Sequence, residues 1–168
     1  LEFRRVLFRS AGDYDGALHD AVHGDPVDVL NGDYLAEIST GIVLESFVQA
    51  PDPSASRGFY YDLFLRQVTP ELAAISAKRL KVVVNAGNLN PDGLAAKLRE
   101  AIAAAGLDLK VASVAGDDLL DRVQELAGAG QLRHLDTGLP LGNLSGRILA
   151  ANAYLGAWGI VEALKSGA

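Results

Sequence analysis

Cysteine is absent from this chain, and so is any long apolar run. Without cysteine there is no disulfide framework, thiolate zinc site or cysteine nucleophile, which is compatible with the cytoplasmic location that we expect. No apolar stretch approaches the roughly 20 residues of a membrane span, so we predict no membrane partner. The net charge of −6 argues against a nucleic-acid partner, because such proteins usually carry a basic patch.

Familiar catalytic and nucleotide-binding motifs are also missing. The sequence has no Walker A pattern, no G-x-G-x-x-G and no G-x-S-x-G nucleophile elbow. No compact metal-ligand spacing such as H-E-x-x-H occurs, so we predict no metal site and leave the cofactor unknown. Any chemistry must then come from carboxylate, amide or histidine side chains.

The first ten residues, LEFRRVLFRS, resemble one reading frame of a common short-read sequencing adapter. We interpret residues 1–10 as an adapter-derived scar that is not native, and exclude them from functional reasoning. The apolar, β-prone letters VLF still allow this segment to form a strand. We expect residues 11–168 to be an N-terminal α/β domain truncated at its C-terminal end, because the chain stops where another strand would follow.

Three segments share one pattern, in which a short β-branched apolar run ends in a small residue and Asp or Asn. They are Val27–Asp33, Lys81–Asn88 and Lys110–Asp118, and each precedes a helical pattern. Repeated βα units make a parallel sheet, and ligands bind outside the carboxyl ends of its strands. The sequence predicts an α/β fold, a mostly parallel, incomplete Rossmann-like sheet with helices on both faces; a partial β/α barrel is the alternative.

Hydrophobic periodicity and helix-breaking residues predict the remaining elements. The helix predicted at Tyr34–Gln49 is expected to bury the stripe Leu35, Ile38, Ile42 and Phe47. The predicted strands are Val27–Leu30, Lys81–Val84, Lys110–Val114 and a short fourth run, Leu132–Leu135. The predicted helices are Ala17–Val22, Tyr34–Gln49, one or two within Phe59–Leu80, one from Asn90–Pro91 to Gly106, Asp118–Ala127 and Arg147–Lys165.

Polar residues at the first two strand ends are candidate site residues. The Asp33 carboxylate suits proton transfer or orientation of a substrate hydroxyl, or else it caps the helix predicted to begin at Tyr34. The next turn carries Asn85, Gly87, Asn88 and Asn90. Its backbone N–H groups suit an anion such as phosphate or carboxylate, and the alternative is a tight turn with Asn90 as helix cap.

The adjacent carboxylates Asp117 and Asp118 follow the third predicted strand. One is expected to cap the next helix, which leaves the other without a capping role. Two neighbouring carboxylates repel unless a cation, a donor or a raised pKa compensates. We therefore assign Asp33, Asp117 and Asp118 as candidate catalytic residues.

Further candidates lie towards the end of the chain and on the first helix. Asp136 follows the fourth apolar run, and Asn152 and Tyr154 are expected early in the last helix, so all three are candidate substrate-binding residues. His19 and His23 have the i, i+4 spacing of a metal-ligand pair, but we interpret them as part of a solvent-facing helix surface.

The ordered set of motifs resembles the N-terminal domain of the acyclic terpene utilisation protein A family. The motifs are GDYLAE (32–37), FLRQ (64–67), VVNAGNLNP (83–91), VAGDDLL (114–120), HLDTG (134–138) and ANAYLGAWGIVEAL (151–164). Family members usually have two adjacent glycines where this chain has Gly87–Asn88. The resemblance also implies a longer bacterial protein.

The resemblance implies a pathway rather than a mechanism, since the family is associated with breakdown of citronellol and geraniol through coenzyme A thioesters. We expect a small-molecule substrate, with a branched acyl-CoA as the leading candidate, and allow a homo-oligomer. Whether the protein is an enzyme stays open. The alternative is a non-catalytic binding or scaffold subunit of the same pathway.

Overall fold

The structure is a computed structural model and describes residues 5–9, 14–48, 53–143 and 148–168. The chain divides into two compact units. The first comprises Leu1–Val114 and Ala157–Ala168, and the second comprises Ala115–Gly156. Among the described residues, no helix is both long enough and apolar enough to cross a membrane.

The first unit contains a three-stranded parallel sheet, and the predicted α/β class is confirmed. The strands are β1 (Arg5–Arg9), β2 (Val29–Asp33) and β3 (Lys81–Val84), in the order β1-β2-β3. Its helices are α1 (Ala17–His23), α2 (Ala36–Phe47), α3 (Asp62–Val68), α4 (Leu72–Lys78), α5 (Pro91–Ala104) and α7 (Trp158–Lys165). The choice between a Rossmann-like sheet and a barrel stays a prediction.

Strand β2 lies between the other two and sets the register of the sheet. Phe8 pairs with Gly32 of β2, and Gly32 pairs in turn with Val84 of β3. Strand β1 falls in the segment that we interpreted as adapter-derived, and it forms the strand that its apolar letters allow. Because all three strands are parallel, their carboxyl ends lie at one edge of the sheet.

The core of the first unit forms between the sheet and α1, α3, α4 and α5. Leu18, Leu30 and Tyr34 are completely buried, and Phe64 and Ile75 are nearly so. Burial of each such large apolar side chain contributes about 1.5–3 kcal/mol relative to leaving it in water. These residues therefore account for much of the attachment of the helices to the sheet.

The predicted strand Lys110–Val114 is wrong, because this segment pairs with no described strand. Within this segment Val111 packs against the core, as do Leu107 and Leu109 just before it. Alternation of apolar and polar residues indicates that one face of an extended segment is buried. It does not require a neighbouring strand that pairs with the segment.

The buried stripe predicted for α2 is also wrong. Ile38 and Ile42 are 57% and 66% exposed, whereas Ser39 is buried. The helix begins at Ala36, after Leu35 has taken a left-handed conformation, rather than at Tyr34. The first turn then directs Ser39 and Thr40 towards Asn88, which hydrogen-bonds to both. The predicted last residue of this helix, Gln49, lies outside the described residues.

The second unit contains α6 (Val123–Gly128), preceded by a short 3-10 helix, Leu120–Arg122. The predicted strand Leu132–Leu135 is wrong, since only Arg133 forms a bridge, antiparallel to Pro140. The His134 N–H donates to the carbonyl of Leu139 at 2.9 Å. The apolar run therefore folds back on itself in a local turn.

The long helix predicted from Arg147 is wrong over most of its first half. Residues 148–157 are not helical, and α7 begins only at Trp158. Ala151 and Ala153 use their backbone groups to pair with Leu119 and Asp117, so they are unavailable for helical hydrogen bonds. Gly156 follows with a φ of +69°. Arg147 itself lies outside the described residues.

Candidate functional site

The carboxyl ends of β2 and β3 meet, as the sequence predicts for these two strands. The Asn85 Nδ2 donates to Asp33 Oδ1 at 3.0 Å, and the Tyr34 N–H donates to Asn85 Oδ1 at 2.6 Å. We call Asp33, Asn85, Gly87, Asn88 and Asn90 the strand-tip cluster. The two residues joined most directly, Asp33 and Asn85, come from adjacent strands and are 52 positions apart.

Asp33 does not act as the helix cap that its position suggested. The N-cap residue of α2 is Leu35, and it makes no side-chain capping bond. Instead, Asp33 Oδ1 accepts from the Leu35 N–H at 2.9 Å and from Asn85. Within the part of the chain that the structure describes, Asp33 Oδ2 has no hydrogen-bond partner. One oxygen is thus anchored and the other is available to a ligand.

Two residues that follow the ends of β2 and β3 adopt left-handed backbone conformations. Leu35 and Asn88 both have a φ of +47°. This conformation costs a residue such as Leu about 1–2 kcal/mol, whereas Asn tolerates it better. Glycine adopts it freely. Strained backbone tends to cluster at functional sites, and here it flanks the Asp33–Asn85 pair.

Asn88 holds the start of α2 against the tip of β3. Its Oδ1 accepts from the Thr40 hydroxyl at 2.6 Å, and its Nδ2 donates to Ser39 Oγ at 3.1 Å and to the Ala36 carbonyl at 3.3 Å. Both polar atoms of the amide are therefore engaged. Asn88 is a predicted substrate-binding residue, and its contacts give it a positioning role in this structure.

Gly87 and Asn90 shape the turn that leads into α5. A Cβ at Gly87 would lie 2.8 Å from both Cα and Cβ of Pro91, closer than real carbon contacts. Asn90 caps α5 as predicted, because its Oδ1 accepts from the Gly93 N–H at 2.9 Å. Its Nδ2 donates to the Gly58 carbonyl at 3.2 Å.

The turn offers fewer anion-binding groups than its sequence suggests. The Asn88 N–H donates to the Asn85 carbonyl at 3.3 Å, and the Asn90 N–H donates to the Gly87 carbonyl at 2.8 Å. Both N–H groups are used inside the turn, which favours the interpretation as a tight βα turn. Of the predicted residues in this unit, Asp33 and Asn85 retain exposed polar atoms suited to a ligand.

A second polar pair lies within the second unit. Asn152 Nδ2 donates to Asp117 Oδ2 at 2.9 Å, and the backbone of Asn152 bridges Asp118 in antiparallel fashion. Asp118 Oδ1 accepts from the N–H of Leu120 at 2.8 Å, where the short 3-10 helix begins. The predicted capping role is wrong for both carboxylates, because the N-cap residue of this 3-10 helix is Leu119 and it has no side-chain capping bond; Asp118 accepts from the N–H two residues further on, and Asp117 accepts from Asn152.

The other predicted residues of this unit are almost fully exposed. The side chain of Asp136 is 92% exposed, and Tyr154 is 93% exposed. His134 Nδ1 accepts from the backbone N–H groups of Asp136 and Thr137 at 3.2 and 3.3 Å, so the imidazole closes this turn. A groove of about 310 Å³ lies nearby, lined by Val123, Gln131, Leu132, Arg133, His134, Leu141, Ile148, Ala150 and Ala151.

Two buried residues that the sequence did not single out, Tyr34 and Gln67, hydrogen-bond to each other next to the strand-tip cluster. The hydroxyl of buried Tyr34 donates to Gln67 Oε1 at 2.6 Å, and Gln67 Nε2 donates to the Asp15 carbonyl at 3.2 Å. Burial raises the pKa of the Tyr34 phenol, so the group stays a neutral donor. Both residues lie in motifs quoted above, but nothing in their spacing indicates that they meet.

Comparison with known proteins gives one match. The family model described as "Acyclic terpene utilisation family protein AtuA" matches residues 9–168. No curated protein and no solved structure matches the chain.

Proposed function

The chain belongs to the acyclic terpene utilisation family AtuA, and from this premise we propose that it acts on a branched acyl-CoA intermediate of acyclic terpene breakdown at the Asp33–Asn85 pair. Family membership implies a role in acyclic terpene utilisation. It also agrees with the resemblance carried by the ordered motifs. The substrate class and the residues are our proposal.

The observation that carries the proposal is an acceptor and a donor held side by side at the ends of two parallel strands. Asp33 keeps Oδ2 for a proton or a hydroxyl, because Oδ1 is already anchored by two donors. Asn85 is exposed, and its amide has a second N–H besides the one given to Asp33. The carboxylate can accept a proton from an acidic C–H or from a hydroxyl, and the amide can donate a hydrogen bond to the neighbouring thioester carbonyl.

The charge of the protein favours recognition of the thioester end of the substrate. Coenzyme A is anionic, and a chain with a net charge of −6 gains little binding free energy from contacts with the phosphates of coenzyme A. The N–H groups of Asn88 and Asn90 in the turn are bonded internally, which leaves fewer groups to hold a phosphate. We therefore propose contacts to the acyl group and its carbonyl, in a cytoplasmic protein.

The pair in the second unit remains part of the proposal. Asp117 and Asn152 repeat the combination of carboxylate and amide seen at Asp33 and Asn85. Asp118, Asp136 and Tyr154 stay predicted site residues. Replacement of Asp117 or Asp118 by Asn keeps size and removes charge, and turnover that survives both changes would remove these carboxylates from the mechanism.

The experiment is incubation of the purified protein with geranyl- and citronellyl-type CoA thioesters, with product detection by mass spectrometry. Asp33→Asn should lower turnover at least about 10²-fold, the lower range for a general acid or base. Asp108→Asn is the matched control, because Asp108 is an exposed carboxylate in a connecting segment. Equal activity in wild type and Asp33→Asn would refute the assignment.

A non-catalytic binding or scaffold subunit is the alternative function. The observation that favours it is the apolar surface of α2, where Ile38 and Ile42 are exposed. A chain without turnover that co-purifies stably with an enzyme of the pathway would support this alternative. Loss of that complex in Ile42→Glu would assign the surface to it. Self-association through the same surface, lost in the same variant, would support the homo-oligomer instead.

A further inference from the structure

Three metal-binding side chains from distant parts of the sequence meet in the first unit. His19 and His23 lie one turn apart on α1, and Glu71 ends the short 3-10 helix Thr69–Glu71 that precedes α4. His19 Nδ1 lies 2.8 Å from Glu71 Oε1, and His23 Nε2 lies 2.8 Å from Glu71 Oε2. Each imidazole thus faces a different oxygen of one carboxylate.

The carboxylate is almost completely buried, whereas the imidazoles are open to water. The side chain of Glu71 is 8% exposed, compared with 60% for His19 and 45% for His23. Burial by itself raises the pKa of Glu71, but the hydrogen bonds and charges of the two histidines outweigh it, and the pKa lies below its ordinary value. A buried carboxylate requires donor or cationic partners, and the two histidines lie in position to supply them.

We propose that His19, His23 and Glu71 form a binding site for a divalent transition-metal ion of the Zn²⁺ class. One ligand atom from each residue lies within 4.8 Å of the others. Ligand atoms bound to one Zn²⁺ ion lie about 2.0–2.2 Å from it. Modest rotation of the two exposed imidazoles would bring the three ligand atoms around one ion. The ion would replace the direct histidine–carboxylate hydrogen bonds.

The ligand set determines which ions fit. Two imidazole nitrogens and one carboxylate oxygen suit Zn²⁺ and its neighbours, whereas Mg²⁺ and Ca²⁺ prefer oxygen ligands alone. Three protein ligands leave a fourth position for water or a small ligand. Because both imidazoles are exposed, an ion can reach the site directly from solvent.

This inference reverses the prediction of no metal site, and it is independent of the proposed action on an acyl-CoA. The i, i+4 pair alone favours a solvent-facing helix surface. Glu71 lies 48 positions beyond His23, and no spacing rule connects them. The ion would join α1 to the segment before α4, and so stabilise the packing of α1.

The test is isothermal titration calorimetry of the purified protein with ZnCl₂ in chelator-treated buffer. We expect one ion per chain, and a loss of affinity of at least about tenfold in His19→Ala and in His23→Ala. His134→Ala is the matched control, because the chain has three histidines and His134 closes a turn in the second unit. Its affinity for Zn²⁺ should equal that of wild type.

A second measurement separates loss of the site from loss of the fold. In proton NMR spectra, Zn²⁺ should shift the imidazole resonances of His19 and His23 and leave those of His134 in place. Because each histidine is a partner of the buried Glu71 carboxylate, circular dichroism is used to compare the fold of every variant with that of wild type, and Glu71→Gln tests the buried position. Absence of binding in the folded wild-type protein, full affinity in the His19→Ala/His23→Ala double variant, or an equal loss in His134→Ala would overturn the proposal.

Discussion

Asn85 Nδ2 donates a hydrogen bond to Asp33 Oδ1 at 3.0 Å, and this bond links the carboxyl ends of two neighbouring parallel strands. The Tyr34 N–H completes the arrangement by donating to Asn85 Oδ1. The orientation of each side chain is thereby set by the other strand. Changes that loosen this edge of the sheet should affect both stability and the proposed site.

Gly87→Ala should destabilise the protein by about 1–3 kcal/mol, the usual cost of overpacking. The added Cβ would lie 2.8 Å from Pro91 Cα, so the turn before α5 must shift. Gly41→Ala is the matched control, since a Cβ there meets nothing within 4 Å and Ala favours a helix by about 0.5–1 kcal/mol over Gly. Urea unfolding measures both. Equal stability of the two variants would contradict the close approach at Gly87.

Asn88→Ala should cost about 2–3 kcal/mol. Alanine at this position still has to adopt the unfavourable left-handed φ of +47°. It also lacks the amide that bonds to Thr40 and Ser39. Asn88→Gly should cost less, because it loses the same bonds but adopts this φ freely. The free energies of unfolding from urea titrations separate the two contributions. If the glycine variant is the less stable of the two, backbone strain is not a factor at this position.

Tyr34→Phe should destabilise the fold by about 1–3 kcal/mol, because buried Gln67 loses the hydroxyl that bonds its Oε1. Tyr154→Phe makes the same chemical change at a side chain that is 93% exposed, and it should leave stability unchanged. Thermal unfolding followed by circular dichroism compares the two. A neutral Tyr34→Phe would mean that the buried bond has no net value.

Asn90→Ala should cost about 1 kcal/mol, the typical value for loss of an N-cap. Asn90→Asp should recover most of this loss, since the carboxylate accepts the same Gly93 N–H and interacts favourably with the helix N-terminus. Chemical denaturation of the three proteins gives the order. Equal losses in both variants would show that the bond from Nδ2 to the Gly58 carbonyl matters more than the cap.

Local signals in the sequence predicted the elements that depend on neighbouring residues. Strand β3 has its predicted bounds, Lys81–Val84, and α5 begins with Pro91 after its Asn90 cap. Gly106, with a φ of +68°, follows the end of that helix as predicted. In each case, the residues that decide the structure lie within a few positions of it.

The errors occur where packing or a distant partner decides. Lys110–Val114 has the composition of a strand but no described strand to pair with. Ala151 and Ala153 favour a helix by composition, yet they hydrogen-bond to Leu119 and Asp117. Helix propensity is worth less than 1 kcal/mol per residue, so tertiary contacts outweigh it.

The sequence by itself determined the α/β class, the family and the meeting of Asp33 with Asn85, because parallel βα units must place their polar ends at one edge of the sheet. Only the tertiary structure decided which of these polar atoms remain available, and that His19 and His23 share the carboxylate of Glu71. Hydrogen bonds between residues about 50 positions apart depend on how the helices pack, and local sequence patterns carry no record of that packing.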